Sequence, residues 1–315
     1  MSKVEVFEEL RPLLFAISYR ILGSVSEAEE AVQETWIGYQ AYPSEVSSAK
    51  AFLSTVVTRT SINLLRSARV RREEYVGPWL PEPLMDDPYE DPERSAELAD
   101  SLSTAALLLL ERLSPLERAV FVLREVFAFP FDEVASAVGR SEAACRQLAV
   151  RARRHMEAGR PRFEADRRER EQLAERFFDA FRDGDVASLR ELLAVDVEVV
   201  SDSGGKAPRT PKPIVGAGKA ARLLAAVAEP LARMGVVVQT QRVNGQPGAM
   251  WRNRDGHVLN TIDLGILDGR IQTIRVVSNP DKLRHLGPVA DAWAASHEFR
   301  RVRRHPPRPA AHAPE

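Results

Sequence analysis

Prolines at positions 78, 81, 83, 88 and 92 sit close together in a chain of 315 residues, and no long helix can be carried through them, because proline lacks the backbone donor and clashes with the preceding turn. Residues 73 to 100 hold ten acids against one arginine, Arg94. The stretch reads as an acidic, proline-rich linker over 73–100, so the helical patterns on its two sides belong to separate units. Tyr75, Trp79, Leu80 and Leu84 lie within it. Either they are scattered linker hydrophobes or another surface of the protein covers them.

Net charge is −1, yet residues 59 to 72 carry five arginines and no acid, and residues 146 to 170 carry nine arginines against four acids. Basic clusters are more often solvated helix faces than nucleic-acid sites, so charge alone establishes no DNA binding. The apolar fraction of 44% is ample for packed cores, and the length favours about two or three domains. One cysteine, Cys145, excludes an intrachain disulfide and fits a reducing compartment. No secretory leader is evident, and the apolar run at 105–110 is too short to span a bilayer, so a soluble cytoplasmic protein without membrane contact is expected. The histidines at 155, 257, 285, 297, 305 and 312 lack carboxylate or cysteine neighbours at ligand spacing, so neither a metal site nor a cofactor is expected.

Before the linker, Phe7, Leu10, Leu14, Ile17 and Ile21 recur at helical spacing, and Gly23 supplies a stop. Ser26 with Glu29 fits a capping box for a second helix, in which Ala28, Val32, Trp36 and Tyr39 face inward while Glu27, Glu30 and Glu34 stay outside. A third helix over 49–71 places Phe52, Val56, Thr60 and Leu64 inside and Arg59, Asn63 and Arg66 on the opposite face. Residues 1–72 thus read as a helical bundle with one acidic and one basic surface. After the linker, Ser114-Pro115-Leu116-Glu117 combines an N-cap, a proline at the first helical position and a glutamate that closes the box. A short helix over 132–138 stops at Gly139, and Ser141 caps an arginine-rich helix. Helix, glycine turn and helix within about 23 residues is the helix-turn-helix pattern, here in a second helical unit over 101–160.

From 168 the period changes. Leu173, Phe177, Phe178 and Phe181 mark a helix, Leu189, Leu192 and Leu193 a second short one, and 220–234 a third. Strands are expected at 195–200, 236–243, 248–252, 258–267 and 271–277, with Asp268-Gly269 a hairpin signal between the last two. Helices followed by an antiparallel sheet indicate an α+β domain over 168–283. Residues 284–315, rich in proline, arginine, alanine and histidine, read as a flexible tail.

The second helix of a helix-turn-helix lies in the major groove with its first residues at the base edges, here Ser141, Glu142, Ala143, Arg146 and Gln147. Arginine can read guanine, glutamine adenine and glutamate the cytosine amino group, while Arg151, Arg153 and Arg154 are placed for phosphates. A packed helical hairpin with a solvated basic end is the bland alternative. Cys145 reads as a small inward hydrophobe rather than a redox sensor. On the third helix, Arg59, Asn63 and Arg66 at i, i+4 and i+7 can follow one phosphate backbone, although any bundle helix can show that spacing.

The ordered motifs resemble the extracytoplasmic-function sigma factors of bacterial RNA polymerase. Glu27-Ala28-Glu29-Glu30-Ala31-Val32-Gln33-Glu34-Thr35 is similar to their region 2 core-binding helix, 51–72 to their promoter-melting helix and 113–156 to region 4. The resemblance implies that Glu27, Glu30, Gln33, Glu34 and Trp36 dock on core polymerase. It further implies that Arg59, Asn63, Arg66 and Arg69 meet minus-ten DNA, and that Ser141, Glu142, Ala143, Arg146, Gln147, Arg151 and Arg154 meet the minus-thirty-five element. Trp79-Leu80-Pro81-Glu82-Pro83 in the linker and Asn279-Pro280-Asp281-Lys282-Leu283 after the last strand are similar to signatures of the subgroup with a C-terminal SnoaL-like domain. Asn244-Gly245-Gln246-Pro247 and Asp268-Gly269-Arg270-Ile271 fit that domain's pattern. The family's Asp-Gly-Gly-Gly-Lys is here Asp202-Ser203-Gly204-Gly205-Lys206, which leaves the role of the first glycine position open.

The implied architecture is multidomain: two all-α domains, sigma region 2 over 1–72 and region 4 over 101–160, followed by a cone-shaped α+β SnoaL-like domain over 168–283. Some SnoaL-like domains are enzymes, and Asp202, Asp263, His257 and Trp251 are the residues that could line such a pocket; no catalytic role is expected of them. The implied function is that of a sigma factor that binds core RNA polymerase and promoter DNA and opens promoters. Its C-terminal domain would regulate it in cis, acting on the linker signature and region 2 in place of a separate anti-sigma protein, with a small-molecule ligand in that domain left open. Two other readings stand beside it: a ligand-responsive helix-turn-helix regulator that never joins polymerase, and an enzyme with a DNA-binding appendage.

Overall fold

The structure is a computed structural model that describes residues 2–89, 98, 101–159, 167–208 and 212–304. The acidic linker residues 90–97 and the end of the expected tail, 305–315, lie outside the described residues. The chain forms two compact units, one of Met1–Glu164 with Arg242–Pro247, the other of Ala165–Gln241 with Gly248–Glu315.

The first unit begins with α1 (Lys3–Leu22), α2 (Val25–Ala41) and α3 (Ala49–Glu73). The Ser2 hydroxyl accepts from the Glu5 amide while the Glu5 carboxylate accepts from the Ser2 amide, which starts α1 with a reciprocal cap. The helix ends at Gly23, whose left-handed backbone (φ 69°) brings its N–H to Tyr19 O at 2.7 Å. In α2 the cap is Ser24 rather than Ser26: Ser24 Oγ accepts from the Glu27 amide, while the Ser26 hydroxyl is spent on Glu82. On α3 the buried stripe is Leu53, Val57, Ser61, Leu65 and Ala68, one position round the helix from the expected Phe52, Val56, Thr60 and Leu64, which are only partly covered. Ser61 and Ser18 hydroxyls meet in that seam at 3.1 Å, so it takes small polar side chains that a hydrophobic pattern does not mark.

The unit continues with α4 (Thr104–Leu110), α5 (Pro115–Phe121), a π turn over Val122–Val126, α6 (Phe131–Val138) and α7 (Glu142–Gly159). α5 carries the anticipated box, with Ser114 and Glu117 capping each other and Pro115 in the first turn. Leu14, Ile17, Leu53 and Leu65 from the first helices and Leu107, Val120, Leu123, Val134 and Cys145 from the later ones belong to one buried cluster. Each fully buried aliphatic side chain contributes about 1.5–3 kcal/mol, so the two helical segments stabilise one common core.

The second unit holds α8 (Arg167–Asp183), α9 (Val186–Leu192), β1 (Leu193–Asp202), β2 (Ile214–Val215), α10 (Ala217–Arg233), β3 (Val237–Val243), β4 (Gln246–Arg252), β5 (Val258–Leu267), β6 (Arg270–Val277) and α11 (Ala292–Arg304), except that the β3–β4 turn with its flanking residues, Arg242–Pro247, belongs to the first unit. Leu193, expected in the short helix, opens β1 instead. The sheet order is β2-β1-β6-β5-β4-β3. β1 pairs with β6 in parallel, so the sheet is mixed and not antiparallel throughout. A parallel pair needs a long crossover, here the whole chain from β2 to β5, and nothing local in either strand signals it. Asp268 and Gly269, with φ of 50° and 67°, make the expected tight turn between β5 and β6. Phe177, Phe178 and Phe181 of α8, Leu189 and Leu192 of α9 and Leu224 of α10 pack on Trp251, Ile262, Leu264, Ile266, Ile271 and Ile274 of the sheet.

Candidate functional site

The acidic face of α2 is set by helical spacing. Glu30, Gln33 and Glu34 are exposed, and Trp36 lies half-buried with its ring 4.9 Å from that of Phe7. A groove of about 470 Å³ between α1 and α2 is lined by Phe7, Arg11, Glu30, Val32, Gln33 and Trp36 among others. It offers an aromatic floor and an acidic rim. Glu27 departs from the expectation: it turns inward to Arg72, 3.8 Å away, and is not part of that exposed face. The reason is the arginine, which the end of α3 brings beside the start of α2.

Of the four α3 residues singled out for minus-ten DNA, two are engaged inside the unit. Arg59 donates to Ala137 O at 3.1 Å and Ser136 O at 2.6 Å, satisfying carbonyls at the C-terminal end of α6. Arg69 donates to Glu111 O at 3.2 Å and to Leu113 O. Asn63 and Arg66 are exposed, and with Arg59 and Arg140 they line a cleft of about 270 Å³.

Sequence reasoning missed a buried polar network beneath this helix. Arg118, fully buried, pairs with Glu111 and donates to Arg20 O at 3.0 Å; Arg72 pairs with the other oxygen of Glu111 at 2.5 Å. Burial by itself would raise the Glu111 carboxyl, but the guanidiniums of Arg118 and Arg72 more than offset it and hold the group below its ordinary value. Arg20, also fully buried, pairs with Asp87 at 2.7 Å and donates to Leu98 O and Ser101 Oγ. No local spacing marks these arginines for burial: Glu111 lies seven residues from Arg118, but Arg20 O, Asp87 and Leu98 O are reached across 67 to 98 residues.

In the helix-turn-helix, Gly139 (φ 65°, ψ 44°) makes the turn, and Ser141 Oγ accepts from the Ala144 amide at the start of α7. Cys145, Leu148, Ala149 and Ala152 face the core, and burial pushes the Cys145 thiol up, as expected of an inert small hydrophobe. Ser141, Glu142, Ala143, Arg146, Gln147, Arg151 and Arg154 are all exposed on the outer side of α7. Glu142 and Arg146 pair with each other at 2.6 Å, and Arg151 reaches Glu117 at 3.1 Å. Arg153, also exposed, pairs with Glu125 at 2.8 Å.

The linker signature lies against the start of α2. The Trp79 ring carries the Arg72 guanidinium 3.9 Å above it, and Leu80, Pro81, Glu82, Pro83 and Leu84 are buried. Glu82 caps α2: its carboxylate accepts from the amides of Val25 and Ser26 at 2.8 and 3.1 Å and from the hydroxyls of Ser24 and Ser26. Asn244 from the β3–β4 turn closes over the linker, exchanging two bonds with the Leu84 backbone and donating to Tyr19 Oη at 2.5 Å, which in turn donates to Glu82 O at 2.6 Å. Burial pushes the Tyr19 phenol far up, so it stays a neutral donor. The linker hydrophobes Trp79, Leu80 and Leu84 are therefore packed, not scattered.

In the second unit, the two remaining signatures form one structure. Buried Lys282 pairs with buried Asp202 at 2.7 Å, Lys206 pairs with Asp281, and the amides of Ser278 and Asn279 donate to Asp202 O. Asn279 caps the short turn over Pro280–Lys282, and Leu283 is fully buried. Positive φ falls at Gly204 and Gly205 (55° and 73°) and not at Ser203, so a side chain at 203 meets no backbone strain. Asp202, Asp263, His257 and Trp251 do not converge. Asp263 pairs with Arg275 at 2.9 Å; it and Trp251 lie on opposite faces of the sheet, as their registers against Gly248 and Asn260 require; His257 is exposed in a turn. Among the described residues no three His, Cys, Asp or Glu side chains are grouped as a metal site needs, and no helix is long and apolar enough to cross a membrane.

Residues 6–71 match the family model for Sigma-70 region 2, and residues 103–156 match that for Sigma-70, region 4. The chain is 36% identical over 292 residues to the ECF RNA polymerase sigma factor SigJ of Mycobacterium tuberculosis, covering 89% of this chain and 93% of that protein. It is 29% identical over 277 residues to the probable ECF RNA polymerase sigma factor SigI of the same species, covering 87% and 92%. The crystal structure of M. tuberculosis extracytoplasmic function sigma factor SigJ superimposes with a TM-score of 0.69 at 32% identity, covering 90% of this chain and 98% of that one.

Proposed function

From the premise that this chain belongs to the extracytoplasmic-function RNA polymerase sigma factors, in the subgroup with a C-terminal SnoaL-like domain, we propose how its residues divide the work of initiation. Such factors bind core RNA polymerase and promoter DNA, so the reading as a regulator that never joins polymerase is not carried further. Initiation factors of this kind are not enzymes, and the place of action proposed here is the cytoplasm.

Glu30, Gln33 and Glu34, with Trp36 at the margin, form the core-binding face; Glu27 supports it from beneath through Arg72. The observation that carries this reading is the exposed acidic face of α2 beside an aromatic groove, followed in order by an outward-facing helix-turn-helix. Ser141, Glu142, Ala143, Arg146 and Gln147 read the minus-thirty-five element, each good base contact worth about 1–3 kcal/mol of discrimination, and Arg151 and Arg154 neutralise phosphates. Glu142 and Arg146 must exchange their mutual pair for DNA. Asn63 and Arg66 meet the opened minus-ten strand, where flipping a base costs a few kcal/mol. Arg59 and Arg69 join them only after releasing the carbonyls of Ser136, Ala137, Glu111 and Leu113.

Regulation in cis is assigned to the linker signature Trp79, Leu80, Pro81, Glu82 and Pro83, which Asn244 covers, and to Asn279, Pro280, Asp281, Lys282 and Leu283, which keep the C-terminal domain in shape. No separate anti-sigma protein is required by this reading. Run-off transcription with purified core enzyme tests the whole: initiation by the full chain, or by a version ending near Arg168, is expected, and failure of both at every promoter tried rejects the residue assignments.

A further inference from the structure

The function just described uses no residue of α11, yet this helix presents the most one-sided charge among the described elements of the second unit. Its N-terminus is capped by Asp291, whose Oδ1 accepts from the amides of Trp293 and Ala294 at 2.9 and 3.0 Å. Ala292, Ala295, Phe299 and Val302 are partly covered, and Arg233 of α10 donates to Val302 O at 3.0 Å, so the apolar side is turned inward and held. Glu298 is the one acid in the helix, and Arg254 neutralises it. Trp293, His297, Arg300 and Arg304 recur at i, i+4, i+7 and i+11 on the outer side, with Arg303 beside them, all exposed. At 1.5 Å per residue the stripe is about 16 Å long.

We propose that this outer face of α11 is an additional contact for duplex DNA, made to phosphates and not to bases. The favourable interaction of cations with a helix C-terminus accounts for an arginine or two in the last turn, but not for Arg301, Arg303 and Arg304 together with Arg300 just before them. Guanidinium forks match phosphate oxygens bidentately, and the chain's family already works on a polyanion of that kind. A lipid surface fits less well: an interfacial helix inserts a continuous apolar face, whereas here only Trp293 is both large and exposed, at 51%. The proposal goes beyond the sigma-factor assignments and can be tested without polymerase, so its failure and theirs are separable.

The test uses the full chain and a fluorescein-labelled duplex of random sequence, titrated over a series of KCl concentrations. With Arg300→Gln, Arg303→Gln and Arg304→Gln combined, the slope of log K against log salt should become shallower by about 0.9 for each phosphate no longer neutralised, hence by roughly 2–3. The same three positions changed to Lys should keep most of the slope, because the charge remains. The melting temperature of both variants should match wild type, since the three side chains have no structural partner among the described residues. An unchanged slope in the Gln variant overturns the proposal, as does absence of duplex binding by wild type at the lowest salt. Arginine-dependent binding to phosphatidylglycerol vesicles, with duplex binding unaffected by the substitutions, would assign the face to lipid and overturn it equally.

Discussion

Glu111 shows what a single residue contributes once its neighbours are in place. Burial alone raises a carboxyl, the flanking guanidiniums of Arg118 and Arg72 reverse the sign, and the group is held below its ordinary value. Because the folded-state value is depressed, the stabilisation is fully present above the ordinary carboxyl value and is lost as the pH falls from there through the folded value. Glu111→Gln should remove the counter-charge of a fully buried arginine and cost about 3 kcal/mol. Urea denaturation at neutral pH and near pH 4 checks this: the variant should start less stable and lose less on acidification than wild type. Ser203 carries the opposite lesson. Its backbone does not need the left-handed region, which falls on the next two residues, Gly204 and Gly205. Neither result was legible in the sequence, where Glu111 is one acid among many and Ser203 only a departure from a pattern.

Helix α2 joins two functions at one element, since its acidic face is exposed while its first turn is capped from the linker. Glu82→Ala removes the acceptor for the Val25 and Ser26 amides and should cost about 1–2 kcal/mol, in the range of other lost caps. Hydrogen exchange at those two amides should rise in the variant, and unchanged protection argues that Ser24 alone suffices. Reversing Glu30 and Glu34 to Lys should weaken core-polymerase pull-down at least tenfold, about 1.4 kcal/mol, with unaltered helical circular dichroism. Elements of this kind were largely readable: the α5 box, the Gly139 stop and the Asp268-Gly269 turn rest on bonds between residues a few positions apart. The buried side of α3 was misplaced by one position because Ser61 and Ser18 close a seam that hydrophobic periodicity does not see. The two-residue β2 was too short for any pattern.

At the scale of the whole molecule, the linker is fixed by residues from distant parts of the chain. If that is the route of control, Trp79→Ala with Leu80→Ala, or removal of residues 279–283, should change run-off output several-fold while core binding persists; unaltered output in both would refute control through these signatures. Sequence by itself determined the helix-turn-helix, the acidic helix and the α+β character of the second half, because caps, turns and periodicity act over one or two turns of chain; that the helices on both sides of the linker share one core was decided by the tertiary structure. Tertiary structure alone decided which charges are spent. Asn244 meets Tyr19 across 225 residues and Lys282 meets Asp202 across 80, and Arg59 and Arg69 are occupied by carbonyls that no spacing could identify. The strength of such pairs depends on desolvation, and desolvation is set by which surfaces the finished fold brings together.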